Sequence, residues 1–329
     1  MHLVMFRGAQ PIGALPLYAK QHSYGEYVFD FGWANAAERA GIEYYPKLVA
    51  MVPLTPATGR RVLYLPGEDP ELVTRVLLDG VVQACAQMRA SSAHLLFLSS
   101  EEHERITRDP RFMSRSSLQF HWHNTGVTTF EEHLATFRSV ARKEIRKERR
   151  RVAESGLAIS VVPGSELGDE EWNALTTFYF DTCDKHGSGP YLTREFFPII
   201  ARTHAARVVA VLARRDGRII AGALNFEKGK HLYGRYWGTL EEHAFLHFEV
   251  CYHQLIERAI KRGYTRFEAG AQGMHKLRRG LLPSEIHSAC YVADPRLARA
   301  VGDFLRREKF GVQEELRALR EHGPSRRDG

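Results

Sequence analysis

Arg215-Asp216-Gly217-Arg218-Ile219-Ile220-Ala221-Gly222-Ala223-Leu224 is followed shortly by Lys230-His231-Leu232-Tyr233-Gly234-Arg235-Tyr236-Trp237-Gly238. The first run reads as a tight turn at Asp216-Gly217 leading into a strand, and Asp-Gly between apolar runs is a strong hairpin signal. The second reads as another strand, broken by glycine and rich in aromatics. A similar succession stands near the N-terminus, in Arg7-Gly8-Ala9-Gln10-Pro11-Ile12-Gly13-Ala14-Leu15 and then His22 to Trp33, with Gly25 and Gly32. The echo predicts a duplicated unit and hence two related lobes with a cleft between them, the usual place for a ligand.

Outward from the hairpin, Arg207–Leu212 supplies its first strand. The pattern predicts further strands at Leu3–Phe6, Ile12–Tyr18, Tyr27–Phe31, His94–Leu98, Leu157–Val162, Tyr264–Ala269 and Glu285–Val292. A helix is predicted over Asp69–Met88, with Asp69 as N-cap and Pro70 at the first helical position. A long helix is predicted from Thr129 to about Ser155, opened by a Thr-x-x-Glu cap and closed by Gly156. Others are expected over Glu170–His186, Thr193–His204, Leu246–Arg262 and Pro295–Arg320. These place lobe boundaries at 1–113 and 114–321, with 322–329 a disordered tail.

The 329 residues suffice for two domains, and 44% hydrophobic content is ordinary for a globular chain. No apolar run approaches the roughly 20 residues of a membrane helix, and the N-terminus lacks a signal-peptide pattern. Cys85, Cys183, Cys251 and Cys290 show no paired spacing, so neither disulfides nor a zinc knuckle is expected, and the compartment reads as cytoplasmic. A net charge of +7 favours anionic partners, or reflects only a basic surface.

Four segments carry candidate chemistry. Arg142, Lys143, Arg146, Lys147, Arg149, Arg150 and Arg151 are offset only by Glu144 and Glu148. That excess suits phosphate binding, with Arg142 and Arg146 as binding candidates, since guanidinium forks match phosphate; a solvated helix face is the other reading. In the glycine-broken strand, Arg235 beside Tyr236 either holds a carboxylate or phosphate, or stacks on its aromatic neighbours. At the start of the Leu246 helix, His247 and Glu249 are candidates to remove a proton from an amine nucleophile, although Glu249 also complements the helix dipole. Finally, Glu268-Ala269-Gly270-Ala271-Gln272-Gly273-Met274-His275-Lys276-Leu277-Arg278-Arg279-Gly280 offers amides at Gly270 and Gly273 beside Lys276, an arrangement able to stabilise an oxyanion. Gln272, His275 and Arg279 join the binding candidates there. His22, Glu26 and Lys47, in polar-aromatic stretches of the first lobe, are candidates for the opposite cleft wall. His121 and His123 flank Trp122, which is weak metal evidence, and no metal is expected. No G-x-S-x-G, Walker or G-x-G-x-x-G signature is present.

On His22–Trp33, Tyr44–Lys47, Gln119-Phe120-His121-Trp122, Arg142–Glu148, Pro190-Tyr191-Leu192-Thr193, Leu232–Gly238, Leu246–Cys251 and Phe267–Gly280, the chain resembles the FemAB-like family, associated with peptidoglycan biosynthesis or recognition and placed in the GNAT acyltransferase superfamily. The resemblance implies an α+β fold of tandem GNAT-like, Fem-type mixed sheets with flanking helices, the first lobe truncated at its N-terminus with a free sheet edge. It adds Tyr191 to the binding candidates.

Fem enzymes move an amino acid from aminoacyl-tRNA to the amine of a peptidoglycan precursor, and Lys276 or Arg279 is the nearest match to their basic positions. The resemblance therefore implies amide formation on an amine-bearing, phosphorylated acceptor, with charged tRNA or acyl-CoA as donor and no tightly bound cofactor. Acetyl transfer ranks lower, because the nearest approach to a CoA-pyrophosphate turn, Arg214–Ile219, fails at its last position. The remaining alternative is a non-catalytic binder of a phosphate-bearing cell-wall precursor or RNA.

Overall fold

The computed structural model describes residues 1–187, 189–270 and 273–324. The chain begins β1 (His2–Arg7), β2 (Gln10–Pro16), β3 (Tyr18–Lys20), α1 (Phe31–Arg39), β4 (Lys47–Ala50), β5 (Leu63–Tyr64), α2 (Pro70–Met88), β6 (Ser92–Leu98), α3 (Ser100–Thr107) and β7 (Met113–His123). It continues through α4 (Phe130–Ala135), α5 (Ser139–Ala153), β8 (Ala158–Pro163), α6 (Asp169–Lys185), α7 (Phe196–His204), β9 (Val208–Arg215), β10 (Arg218–Lys228) and β11 (His231–Thr239). A helix then runs from α8 (Leu246–Phe248) through a π segment (Glu249–His253) into α9 (Gln254–Lys261), followed by β12 (Arg266–Glu268), β13 (Leu282–Val292) and α10 (Pro295–Glu321). The result is α+β, with mixed sheets and flanking helices.

Two compact units form, Met1–Leu118 with Glu285–Ala318, and Gln119–Ser284 with Leu319–Gly329. The first unit has a small antiparallel sheet, β1-β2-β5, and strands ordered β3-β4-β6-β13 with β4 and β6 parallel. Its helix α2 starts as predicted, Asp69 accepting a hydrogen bond from the Glu71 amide at 2.9 Å. Val73, Leu77 and Val81 of α2 meet Leu15, Leu48 and Leu95 in the core.

Two expectations fail here. Tyr27–Phe31 is not a strand but the entry to α1, whose Ala-rich run favours helix and whose Trp33 and Ala37 face inward at i, i+4. The N-terminal echo therefore holds for the hairpin alone. Residues 285–318, assigned by chain order to the second lobe, belong to the first unit, because Leu297, Val301 and Leu305 of α10 bury against Trp33, Ala37 and Tyr44.

In the second unit the strands are ordered β7-β12-β11-β10-β9-β8. The Asp216-Gly217 hairpin forms as read, with Arg215 opposite Arg218. Helix α6 crosses one face, burying Trp172, Leu175 and Phe178 on Val208, Ala210 and Leu212. It lies so close to β11 that a Cβ at Gly238 would stand 2.4 Å from the Phe178 carbonyl oxygen. The single long helix expected from Thr129 is two. The Thr129/Glu132 capping box opens α4, but Phe137 is buried, and the Arg138 amide donates to the Pro324 carbonyl rather than continuing the helical ladder.

The feature that positions the site is the parting of β11 and β12. They pair in parallel at only three positions, His231 with Arg266, Leu232 with Phe267 and Tyr233 with Glu268. Beyond Tyr233 the register of β11 on β10 slips, Gly234 facing Asn225 and Tyr236 facing Leu224. Arg235 is thus the extra residue of a β-bulge, which bends its strand. Beyond Glu268 the other strand stays with β7, the Ala269 amide donating to Phe120 at 3.2 Å. The two strands diverge and a wedge opens between them.

Candidate functional site

The helix beginning at Leu246 and the 3₁₀ turn Met274–Arg279 bring one cluster of side chains together. The His247 ring lies 5.3 Å from Trp237, 5.3 Å from Tyr252 and 5.7 Å from His275. Tyr252 and His275 are hydrogen bonded, hydroxyl to Nε2, at 2.9 Å. Lys276 is buried beside Gly270, whose φ is +86°, and a Cβ built there would stand 3.7 Å from Nζ. Gly273 is at φ +110°, and a Cβ there would collide with the His275 ring at 2.4 Å, so this turn requires glycine.

Burial pushes the Lys276 ammonium down to about 8, and among the described residues the neighbour favouring its charge is the Cys251 thiol. Burial lowers His247 to about 4, reinforced by the positive neighbours His275, Lys276 and Arg279. His275 is lowered for the same reasons, burial first and then Lys276 and Arg279. At neutral pH the site therefore holds the Lys276 ammonium among neutral imidazoles, with the charge of Arg279 balanced by Glu148, a combination suited to developing negative charge and to accepting a proton.

The turn is held from α5. Arg279 donates from Nε and Nη2 to Glu148 at 3.1 and 2.5 Å, and from Nη1 to the His275 carbonyl at 2.7 Å. Its guanidinium carbon lies 3.2 Å from the Phe248 ring centroid. His253 stands 3.2 Å from the same carboxylate. Burial alone would raise Glu148, but hydrogen bonds from His253 and Arg279 outweigh it and hold the carboxyl below its ordinary value.

Of the residues predicted from sequence, the structure assembles His247, His275, Lys276 and Arg279. Glu249 is elsewhere. Two positions along a helix point to different sides, and its buried carboxylate accepts from Arg149 at 3.2 Å and from Gln254 at 2.6 Å. It lines a separate cleft of ≈ 580 Å³ whose walls include Phe130, Leu134, Arg146, Arg149 and Ile159. The basic helix is partly neutralised there, Arg146 by Glu131, Arg149 by Glu249 and Glu257, and Arg150 by Glu154. Arg142 is half-buried one turn earlier.

Arg235 sits at the bulge with its guanidinium 4.7 Å from the Tyr236 ring and 3.1 Å from its hydroxyl. The bulge places these sequence neighbours side by side, where the alternation of a regular strand would send them to opposite faces. Tyr236 packs on Tyr179 at 4.8 Å. Tyr191 is exposed, and Gln272 lies outside the described residues.

In the first unit His22 is exposed, but Glu26 and Lys47 do not line a cleft wall. Lys47 is fully buried, bonding to Ser23 and Glu26 at 2.8 Å and to Asp30 at 2.5 Å. A buried lysine paired with two buried carboxylates is consumed by them and is closed to ligand.

Sequence reasoning does not single out Glu148 or Tyr252. Glu148 left a signal, since Ile145, Glu148 and Val152 form the buried stripe of α5 at i, i+3, i+7, and an acid on such a stripe implies an internal partner.

A FemAB-like family model, described as peptidoglycan biosynthesis/recognition, matches residues 1–327. The fold is similar to the crystal structure of FemX, with TM-score 0.54 and 11% identity over 92% of this chain and 90% of that one. It is also similar to the C-terminal domain of a putative lysylphosphatidylglycerol synthetase from Agrobacterium fabrum, with TM-score 0.57 and 13% identity over 91% and 87%. A third similar structure is L-PGS from Bacillus licheniformis, with TM-score 0.53 and 12% identity over 79% and 82%. No curated protein matches the chain in sequence. Among the described residues no helix is long and apolar enough to cross a membrane. The model match spans nearly the whole sequence, and the chain belongs to the FemAB-like family.

Proposed function

We propose that this protein is a cytoplasmic acyltransferase that moves an aminoacyl group from charged tRNA to an amine of a phosphorylated cell-wall precursor. The observation that carries the reading is the buried cation Lys276 at a glycine turn, with neutral His247 and His275 beside it. The acceptor nitrogen attacks the ester carbonyl carbon, and the oxyanion that forms is met by the Lys276 ammonium and the amides of Gly270 and Gly273. His247 accepts the proton from the attacking nitrogen. The ester C–O bond then breaks, and the departing ribose hydroxyl takes that proton as the amide is released. Arg279 and Glu148 orient the turn without touching the reacting atoms.

Charge favours this donor over acyl-CoA. A CoA pyrophosphate needs amides and positive potential at a helix start, whereas the loop entering α8 brings Glu241 and Glu242. The Arg214–Ile219 run is the β9–β10 hairpin, not a phosphate loop. The test is to incubate the protein with charged tRNA and an amine-bearing, phosphorylated peptidoglycan precursor, and separately with acetyl-CoA, and to follow amide product by mass spectrometry. Product from charged tRNA supports the reading; transfer from acetyl-CoA alone, or from neither, overturns it.

A further inference from the structure

A second recess, ≈ 400 Å³, lies in the second unit where β11 and β12 begin, at the opposite end of β11 from Trp237. Its floor is the Arg258–Glu227 pair, Nε to Oε1 at 2.5 Å and Nη2 to Oε2 at 3.1 Å. Around it stand Arg207, Lys228, Arg262 and Tyr264, brought from three separate turns, and a fourth turn adds the acid Glu166, so cations still outnumber acids in the lining. The β10–β11 turn and the α9–β12 turn are tied together by the Thr265 amide donating to the Lys230 carbonyl at 2.8 Å. Glu227 is occupied by Arg258, while Arg207, Lys228 and Arg262 have no carboxylate partner among the described residues. Lys230 adds a further exposed cation on the same hairpin.

Held apart on rigid turns, these cations repel one another unless an anion bridges them. The walls offer little apolar surface, so a lipid or acyl chain gains nothing here. Backbone phosphates, spaced along a strand and open to solvent, match both the charge and the shallow shape. Along β11, the six steps from His231 to Trp237 cover roughly 20 Å at the rise of a strand, a span that a few unstacked nucleotides cover.

We propose that this recess binds the phosphodiester backbone of an RNA whose 3′ end reaches Lys276. The proposal rests on the charged-tRNA reading and deepens it by locating the nucleic-acid surface at Arg207, Lys228 and Arg262. These residues lie outside the catalytic cluster, so their loss affects donor affinity and not chemistry.

The experiment uses the full chain, uncharged tRNA as the binding probe, and the double variant Lys228→Glu/Arg262→Glu alongside the milder Lys228→Gln/Arg262→Gln. Thermal melting of each variant establishes folding. The expected result is tRNA binding at least tenfold weaker in the reversal variant and a salt slope shallower by about two in the neutral one. With charged tRNA as donor, KM rises and kcat is unchanged. Unchanged affinity and slope in folded variants that still use charged tRNA overturn this inference and leave the donor reading standing. Wild-type protein that binds no tRNA and transfers from acetyl-CoA overturns both.

Discussion

The Arg279 guanidinium forks onto the Glu148 carboxylate at 2.5 and 3.1 Å, tying the 3₁₀ turn that carries Lys276 to the inner stripe of α5. Glu148→Ala leaves Arg279 buried without its counter-charge, which costs ~3–5 kcal/mol. Urea unfolding of the variant checks this, and a midpoint equal to wild type sinks the claim that the pair organises the turn.

Lys276→Met keeps the aliphatic stem and removes the charge. Turnover is expected to drop by roughly 100- to 1,000-fold, the usual effect of deleting one oxyanion donor, while thermal stability holds or rises because a buried charge is gone. In the wild type, kcat/KM is expected to fall as pH rises through about 8, where the ammonium loses its proton. A rate that climbs through this range instead would make the neutral amine the active form.

Glu249→Gln is expected to leave turnover within about twofold of wild type, because its carboxylate is engaged by Arg149 and Gln254 on another side of the helix. Loss of the charge-assisted bond from Arg149 lowers stability by about 1–3 kcal/mol. Steady-state kinetics beside a melting curve separate the two effects, and a large fall in kcat would return Glu249 to the chemistry.

Burial holds His94 at about 3, and His133 and His247 at about 4, below the ordinary 6.5. These groups are neutral when folded and gain a proton on unfolding in acid. Their stabilisation is complete above pH 6.5 and is lost as pH falls toward 4, at up to about 1.4 kcal/mol per pH unit for each. Denaturant midpoints across that range read the slope, and a flat profile contradicts it.

Gly238→Ala tests the approach of α6 to β11. The added methyl meets the Phe178 carbonyl oxygen at 2.4 Å, and overpacking of this kind costs about 1–3 kcal/mol. A melting temperature equal to wild type would show that α6 yields freely.

What the sequence determined by itself were the features whose physics is local. Asp216-Gly217 has the conformational freedom a tight turn demands, Asp69-Pro70 opens α2, and Thr129 with Glu132 caps α4, each through interactions within a few residues. The placing of Lys276 beside Gly270 and Gly273 was legible because the three lie so near in sequence. Only the tertiary structure decided that α10 belongs with Trp33, that the Thr129–Ser155 helix breaks where Phe137 is buried, and that Lys47 is consumed by Glu26 and Asp30. It also parted His247 from Glu249 and joined Glu148 to Arg279. These outcomes depend on which distant group satisfies a buried charge or fills an apolar space, and chain order carries no record of that distance.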